Sequence, residues 1–187
     1  TLLLSAQNAL SIDIHPRVIN TNITMSDGTP LNTAIHFPLR SSSTGKYPII
    51  IDRSPYGYGD MEWITDIFAP FGYVAVGQDL RGTEKSGGDF SLFQSDALDS
   101  RETGDWLTSQ EWSNGEIYSF GMSADGLANI QMSFTNPEWL KAQYIGWAPS
   151  QMYNILFPHG CYKMKTAEDW FNDLTMSNDS MYPITIQ

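Results

Sequence analysis

Between residues 47 and 147, short apolar runs alternate with amphipathic stretches, and this rhythm narrows the fold more than any other feature of the chain. Tyr47-Pro-Ile-Ile-Ile-Asp52 is an unbroken run rich in β-branched residues, the pattern of a strand covered on both faces. A helix is predicted over 61–71, with Trp63, Ile64, Ile67, Phe68 and Phe71 on one stripe and Gly72 just past its end. A second buried strand is predicted at 73–76. The next helix spans 95–110, with an acidic start and apolar Ala97, Leu98 and Leu107 inside it. Asn114-Gly115 turns the chain into a strand at 117–120. A helix follows at 124–135, with Leu127, Ile130 and Phe134 facing inward and Pro137 fixing the stop. A fourth strand is predicted at 141–147. Strand and helix at this spacing require right-handed crossovers and a mostly parallel sheet.

Ahead of this region, stretches 22–25 and 31–37 flank Asp27-Gly28 and read as an antiparallel hairpin, because Asp-Gly supplies the positive-φ residue of a tight reversal. Residues 41–45, Ser-Ser-Ser-Thr-Gly, read as a surface loop. The fold class is therefore α/β: a mostly parallel sheet behind an N-terminal antiparallel hairpin. After Ala148 the alternation stops, leaving weak helical periodicity around 167–174, as in a cap or lid segment.

Composition then excludes whole classes of function. The 187 residues suit a single domain, and 41% hydrophobic content is enough for a sizeable core. Ten Lys and Arg against 21 Asp and Glu give a net charge of −11, which repels phosphate backbones and anionic lipid. Neither a nucleic-acid nor a membrane partner is expected, and no apolar run approaches the roughly 18 residues a spanning helix needs. With one cysteine, Cys161, and three scattered histidines, neither a metal nor a cofactor is expected. The start, TLLLSAQNAL, fits either the tail of a secretory signal or an element packed on the domain. Acceptor sequons at Asn22-Ile-Thr24 and Asn178-Asp-Ser180 fit a secreted protein.

Three segments at predicted strand ends carry chemistry. Gly121-Met-Ser123-Ala-Asp-Gly126 lies between a strand and a helix, where a tight bend thrusts a hydroxyl outward and the helix start offers N–H groups to negative charge. The usual elbow is G-x-S-x-G; here the second glycine comes three residues after the serine. Arg53-Ser-Pro-Tyr56-Gly57 leaves the end of the first buried strand, so its phenol is either a hydrogen-bond donor at a site or an aromatic covering the core edge. Gln78-Asp79-Leu-Arg81-Gly82 reads as a turn locked by an Asp79–Arg81 ion pair. His15 and His36 read as surface or packing residues. His159 follows the nucleophile too soon for the usual acid-then-histidine order, and Cys161 reads as a small apolar residue.

In this order the motifs resemble the X-Pro dipeptidyl-peptidase and cocaine esterase family of α/β-hydrolases, which includes α-amino acid ester hydrolases and glutaryl acylases. The resemblance runs collinearly from about Ile23 to Tyr153. It passes through Met25-Ser-Asp-Gly-Thr-Pro-Leu31, Arg53-Ser-Pro-Tyr56, Gly72-Tyr-Val-Ala-Val76, Gln78-Asp-Leu-Arg-Gly82 and Ser86-Gly-Gly-Asp-Phe90. It continues through Asp105-Trp-Leu107, Gln110-Glu-Trp-Ser-Asn-Gly115 and Gly121-Met-Ser123. The family's elbow, G-x-S-Y-x-G, accounts for the displaced glycine. The resemblance implies that Ser123 is the acyl-accepting nucleophile and that the Tyr56 hydroxyl and the Ala124 backbone N–H form the oxyanion hole. Two such donors are worth about 3–4 kcal/mol each in barrier.

Ala124 replaces the family's tyrosine, which leaves the N–H intact but alters substrate contacts, and Gln151 stands where the family tends to carry Asp ahead of a Tyr, here Tyr153. The family's acid and histidine lie well downstream, so the chain reads as an N-terminal fragment without hydrolase activity of its own. Its organisation is then an extension at 1–21, the first part of an α/β-hydrolase core at 22–147, and the start of a lid at 148–187. The expected partner is a small-molecule or peptide substrate. Two other readings remain open at the level of sequence: a generic carboxylesterase, and a non-catalytic α/β-hydrolase-like binding module.

Overall fold

The computed structural model describes residues 17–176 apart from 40, 43, 59, 60 and 61. The stretch at 1–10, His15 and the sequon at Asn178 lie outside the described residues. Among the described residues six strands form one sheet: β1 (Val18–Thr24), β2 (Pro30–His36), β3 (Tyr47–Ser54), β4 (Val74–Asp79), β5 (Ser113–Met122) and β6 (Leu140–Gly146). Their order is β1-β2-β4-β3-β5-β6, with β1 and β2 antiparallel and the last four strands parallel. The hairpin forms as the sequence predicts. Gly28 sits at φ 87° in the reversal, a conformation closed to most side chains.

Isoleucine alternation in β3 builds the two faces. Ile49 and Ile51 pack with Leu31, Ile35, Val74, Val76 and Ile117 beneath α2 (Asp96–Thr108) and α3 (Ala124–Ser133), which add Leu107 and Met132. Ile50 points the other way, with Ala75 and with Ile64 of α1 (Glu62–Phe68), into a layer rimmed by Phe68, Tyr73, Tyr118 and Phe120. Each such isoleucine contributes about 1.5–3 kcal/mol of burial. Beyond β6 come α4 (Met152–Leu156) and α5 (Met164–Met176), the helical content that the periodicity around 167–174 foreshadows.

Several expectations are corrected. The predicted stripe on α1 is only partly inward: Ile64 is buried, but Ile67 and Phe71 are exposed, Phe71 in a short 3-10 turn (Ala69–Phe71) closed by Gly72 at φ 86°. Asn114-Gly115 does not precede the strand but forms a bulge within β5, where Ser113 pairs with Tyr47 while Ile117 pairs with Ile49. Leu127 of α3 faces inward as expected. Phe134 does not: it is exposed, and Ala128 and Met132 fill the interface instead. On α2, Leu98 is exposed and the inward face is mostly polar, with Asp96, Asp99, Ser100 and Thr103 all buried. The cause is a cation in the sheet. Arg53 of β3 is fully buried and meets Asp96 at 3.0 Å, Ser100 at 2.5 Å and Gln78 at 2.7 Å.

Candidate functional site

The four parallel strands bring Ser54, Asp79, Met122 and Gly146 to the same edge of the sheet, the carboxyl edge where open α/β sheets bind ligands. The neighbouring ladders of β3 and β5 pair Ile51 with Ser119, so three residues further on Ser54 stands level with Met122. The loops after these two strands therefore start side by side. One carries Tyr56 and the other Ser123.

Ser123 is exposed and adopts φ 56°, ψ −119°, a strained conformation for a residue with a Cβ. Its neighbours hold it there. The Ser123 N–H donates to Gly146 O at 2.8 Å, and its carbonyl accepts the first turn of α3 from Leu127 N at 3.1 Å. A Cβ on Gly126 would lie 2.7 Å from the Ala148 Cβ, and one on Gly121 would lie 2.7 Å from the Asp125 carbonyl carbon. Both glycines are thus required by close approach, and the second works three residues after the serine because it faces β6. Ala124 is buried as the first residue of α3, so its N–H belongs to the turn that has no acceptor within the helix.

Tyr56 is 44% exposed. Its backbone N–H donates to Ser54 Oγ at 3.2 Å, and its hydroxyl accepts the indole N–H of Trp170 at 2.8 Å. Trp170 stacks on Phe93, which packs with Leu80, Ala124 and Leu127, so α5 is anchored to both halves of the site. Ser54 and Asp125 face the same cleft, which sets the Tyr56 turn beside the residue two beyond Ser123.

An open cleft of about 190 Å³ lies at this junction, lined by Asp52, Ser54, Tyr56 and Gly57, by Trp63 and Phe120, and by Met122 and Asp125. Ser123 does not line it; the residues on either side of the Ser123-Ala124 step do. Burial pushes the Asp125 carboxyl up to about 6, with nearby Ser54 opposing the rise. The carboxyl of Asp52, only 2% exposed, is also raised, first by burial and then by the charge of Asp125. Neither carboxyl was among the sequence candidates. The available signals were an acid ending an apolar strand and a second acid two residues past the elbow serine. Trp170 was missed as well, since 114 residues separate it from Tyr56.

The remaining candidates lie apart from the cleft. The expected Asp79–Arg81 pair does not form. Arg81 instead bridges Asp99 at 2.7 Å and Asp27 at 2.6 Å, while Asp79 accepts from Asn32 at 2.6 Å and from the Tyr58 N–H at 2.9 Å. The turn is locked, but by longer-range partners. His36 is half-buried on β2, and His159 sits exposed in a 3-10 turn (Pro158–Gly160). Cys161 is exposed rather than packed. Gln151 and Tyr153 are exposed at α4. Among the described residues no group of three or more His, Cys, Asp or Glu side chains is arranged to hold a metal.

Comparison with known proteins bears on this geometry. The family profile for X-Pro dipeptidyl-peptidase (S15 family) matches residues 27–183. Cocaine esterase of Rhodococcus sp. (strain MB1 Bresler) is 28% identical over 159 residues, covering 81% of this chain and 27% of the esterase. A CocE/NonD family hydrolase from Staphylococcus aureus superposes with a TM-score of 0.65 at 26% identity, over 74% of this chain and 29% of that one. An α-amino acid ester hydrolase superposes with a TM-score of 0.60 at 28% identity, over 68% and 24%. The chain thus spans about a quarter of the length of these relatives.

Proposed function

Because this chain belongs to the X-Pro dipeptidyl-peptidase (S15) family, whose similar members bear names of hydrolases, we propose that it supplies the nucleophile and oxyanion hole of a serine hydrolase acting on peptide, amide or ester bonds. The observation that carries the reading is Ser123, exposed at φ 56° on a strand-to-helix joint at the carboxyl edge of a parallel sheet. Its Oγ attacks the substrate carbonyl, and the negative charge that develops on oxygen is met by the Ala124 N–H and the Tyr56 hydroxyl. Collapse expels the amine or alcohol and leaves an acyl ester on Ser123, which water then hydrolyses. The base and acid of this relay are not assigned to residues of this chain. The indole of Trp170 fits the scheme: by occupying a lone pair of the Tyr56 oxygen it turns the phenol proton away from itself.

The test is covalent labelling of the full-length protein with a fluorophosphonate. Label on Ser123, lost in Ser123→Ala, is the expected result. No label on a protein that melts cooperatively would refute the proposal and favour the non-catalytic binding module. A panel of dipeptidyl, acyl-amide and simple ester substrates separates a dipeptidyl-peptidase or acylase from a generic carboxylesterase.

A further inference from the structure

The turn that carries Tyr56 does little to fix its own shape. Within it the Tyr56 N–H reaches Ser54 Oγ at 3.2 Å, and Gly57 follows at φ 92°, where the backbone has most freedom. Its restraint comes from the next strand. β3 and β4 run in a register that sets Ser54 beside Asp79. The Leu80 N–H donates to the Ser54 carbonyl at 3.0 Å and closes the near end of the turn. The Asp79 carboxylate closes the far end, its Oδ1 accepting the Tyr58 N–H at 2.9 Å. Tyr56 therefore stands between two anchors, both supplied by the end of β4.

Asp79 is held in place in its turn. Its Oδ2 accepts the Asn32 side-chain amide at 2.6 Å and the Lys85 N–H at 3.3 Å. Its carbonyl accepts the Ser86 hydroxyl at 2.8 Å, and Ser86 Oγ accepts the Asn32 N–H at 2.9 Å. The residue is only 2% exposed, so each of these donors would be left wanting without it. A carboxylate suits the position because it offers an acceptor on both sides, one toward Tyr58 and one toward Asn32. The Tyr58 ring is anchored separately, against Ile50, Ile64 and Ala75. That leaves the carboxylate to set the path of the backbone between Ser54 and Tyr58.

We propose that Asp79 is a positioning residue for the acyl transfer proposed at Ser123: through the Tyr58 N–H it fixes where the Tyr56 hydroxyl stands when charge develops on the substrate oxygen. The inference rests on that reading of Ser123 and Tyr56. Asp79 does not line the cleft, so its effect on rate passes through the turn. A displacement of about 1 Å in a positioned group can cost about 10²-fold in rate. The loss falls on kcat rather than KM, because the phenol meets charge only in the transition state.

The test is steady-state hydrolysis of p-nitrophenyl acetate by the full-length protein, read as a double-mutant cycle. Asp79→Asn keeps the size of the side chain but has one acceptor oxygen, so it turns a donor toward either Tyr58 or Asn32. It lowers kcat about tenfold or more and leaves KM within about twofold. Adding Asn32→Asp puts an acceptor where Asn32 presents a donor, and kcat recovers to within about threefold of the wild type. In a Tyr56→Phe background Asp79→Asn lowers kcat by no more than about twofold, because the group it positions is gone. An equal loss in both backgrounds, or a swapped protein that melts normally without recovering kcat, would overturn the proposal. So would an Asp79→Asn protein that no longer melts cooperatively and is not restored by the swap, since the acid would then support the fold at large. Fluorophosphonate label on Ser123 together with equal losses defeats this inference alone. Absence of label defeats the reading of Ser123, and this inference with it.

Discussion

Replacing Asp125 by Asn should stabilise the fold at alkaline pH and do nothing at acid pH. Burial lifts the Asp125 carboxyl from 3.8 to about 6, so the folded state holds its proton more tightly than the unfolded chain does. A carboxyl raised in this way favours the fold fully below pH 3.8, and that advantage is lost as pH rises through about 6. The rise, caused by burial, corresponds to about 3 kcal/mol. Asn has nearly the same shape and never ionises. The variant should therefore match the wild type at pH 4 and exceed it by about 2–3 kcal/mol at pH 8, or about 5–10 °C in melting temperature for a chain this size. Urea unfolding of both proteins between pH 4 and pH 9 measures the difference directly. A difference independent of pH, or a wild type more stable than the variant at pH 8, would show that the acid is not held in a low-dielectric site.

If the proposed reaction holds, Tyr56→Phe in the full-length protein should lower kcat about 10²- to 10³-fold with little change in KM, because a phenol in the oxyanion hole acts only when charge appears on the substrate oxygen; steady-state kinetics on an activated ester would show it. Arg53→Met should destabilise by about 3–5 kcal/mol in chemical denaturation, since it strands Asp96 in a buried position that Arg53 now compensates. That loss should shrink at low pH, where burial already favours the protonated form of Asp96.

The order of elements was legible because buried parallel strands advertise themselves: Ile49 to Ile51 has no other economical reading, and the hairpin turn is written in Asp27-Gly28. The elbow was legible for a similar reason, as the glycines at 121 and 126 are spaced by contacts that only small residues allow. The inner face of α2 was not, since its polar residues look solvent-facing until Arg53 is placed beneath them. Nor were Phe71 and Phe134, whose helical phase suggests burial but which lie outside the packed layer. The acidic side of the cleft was hidden because Asp52 and Asp125 are ordinary loop-edge acids in the linear chain. Only the adjacency of β3 and β5 makes them neighbours.

The torsion angles of Ser123 have a wider consequence. A joint bent into a shape that its own residue resists acts as a loaded spring, kept cocked by the hydrogen bond to β6 and the two tight glycines. Glycine at that position would relax it, so a search for hardier versions of this molecule would drift toward removing the hydroxyl, setting robustness against the reactivity proposed for that one residue.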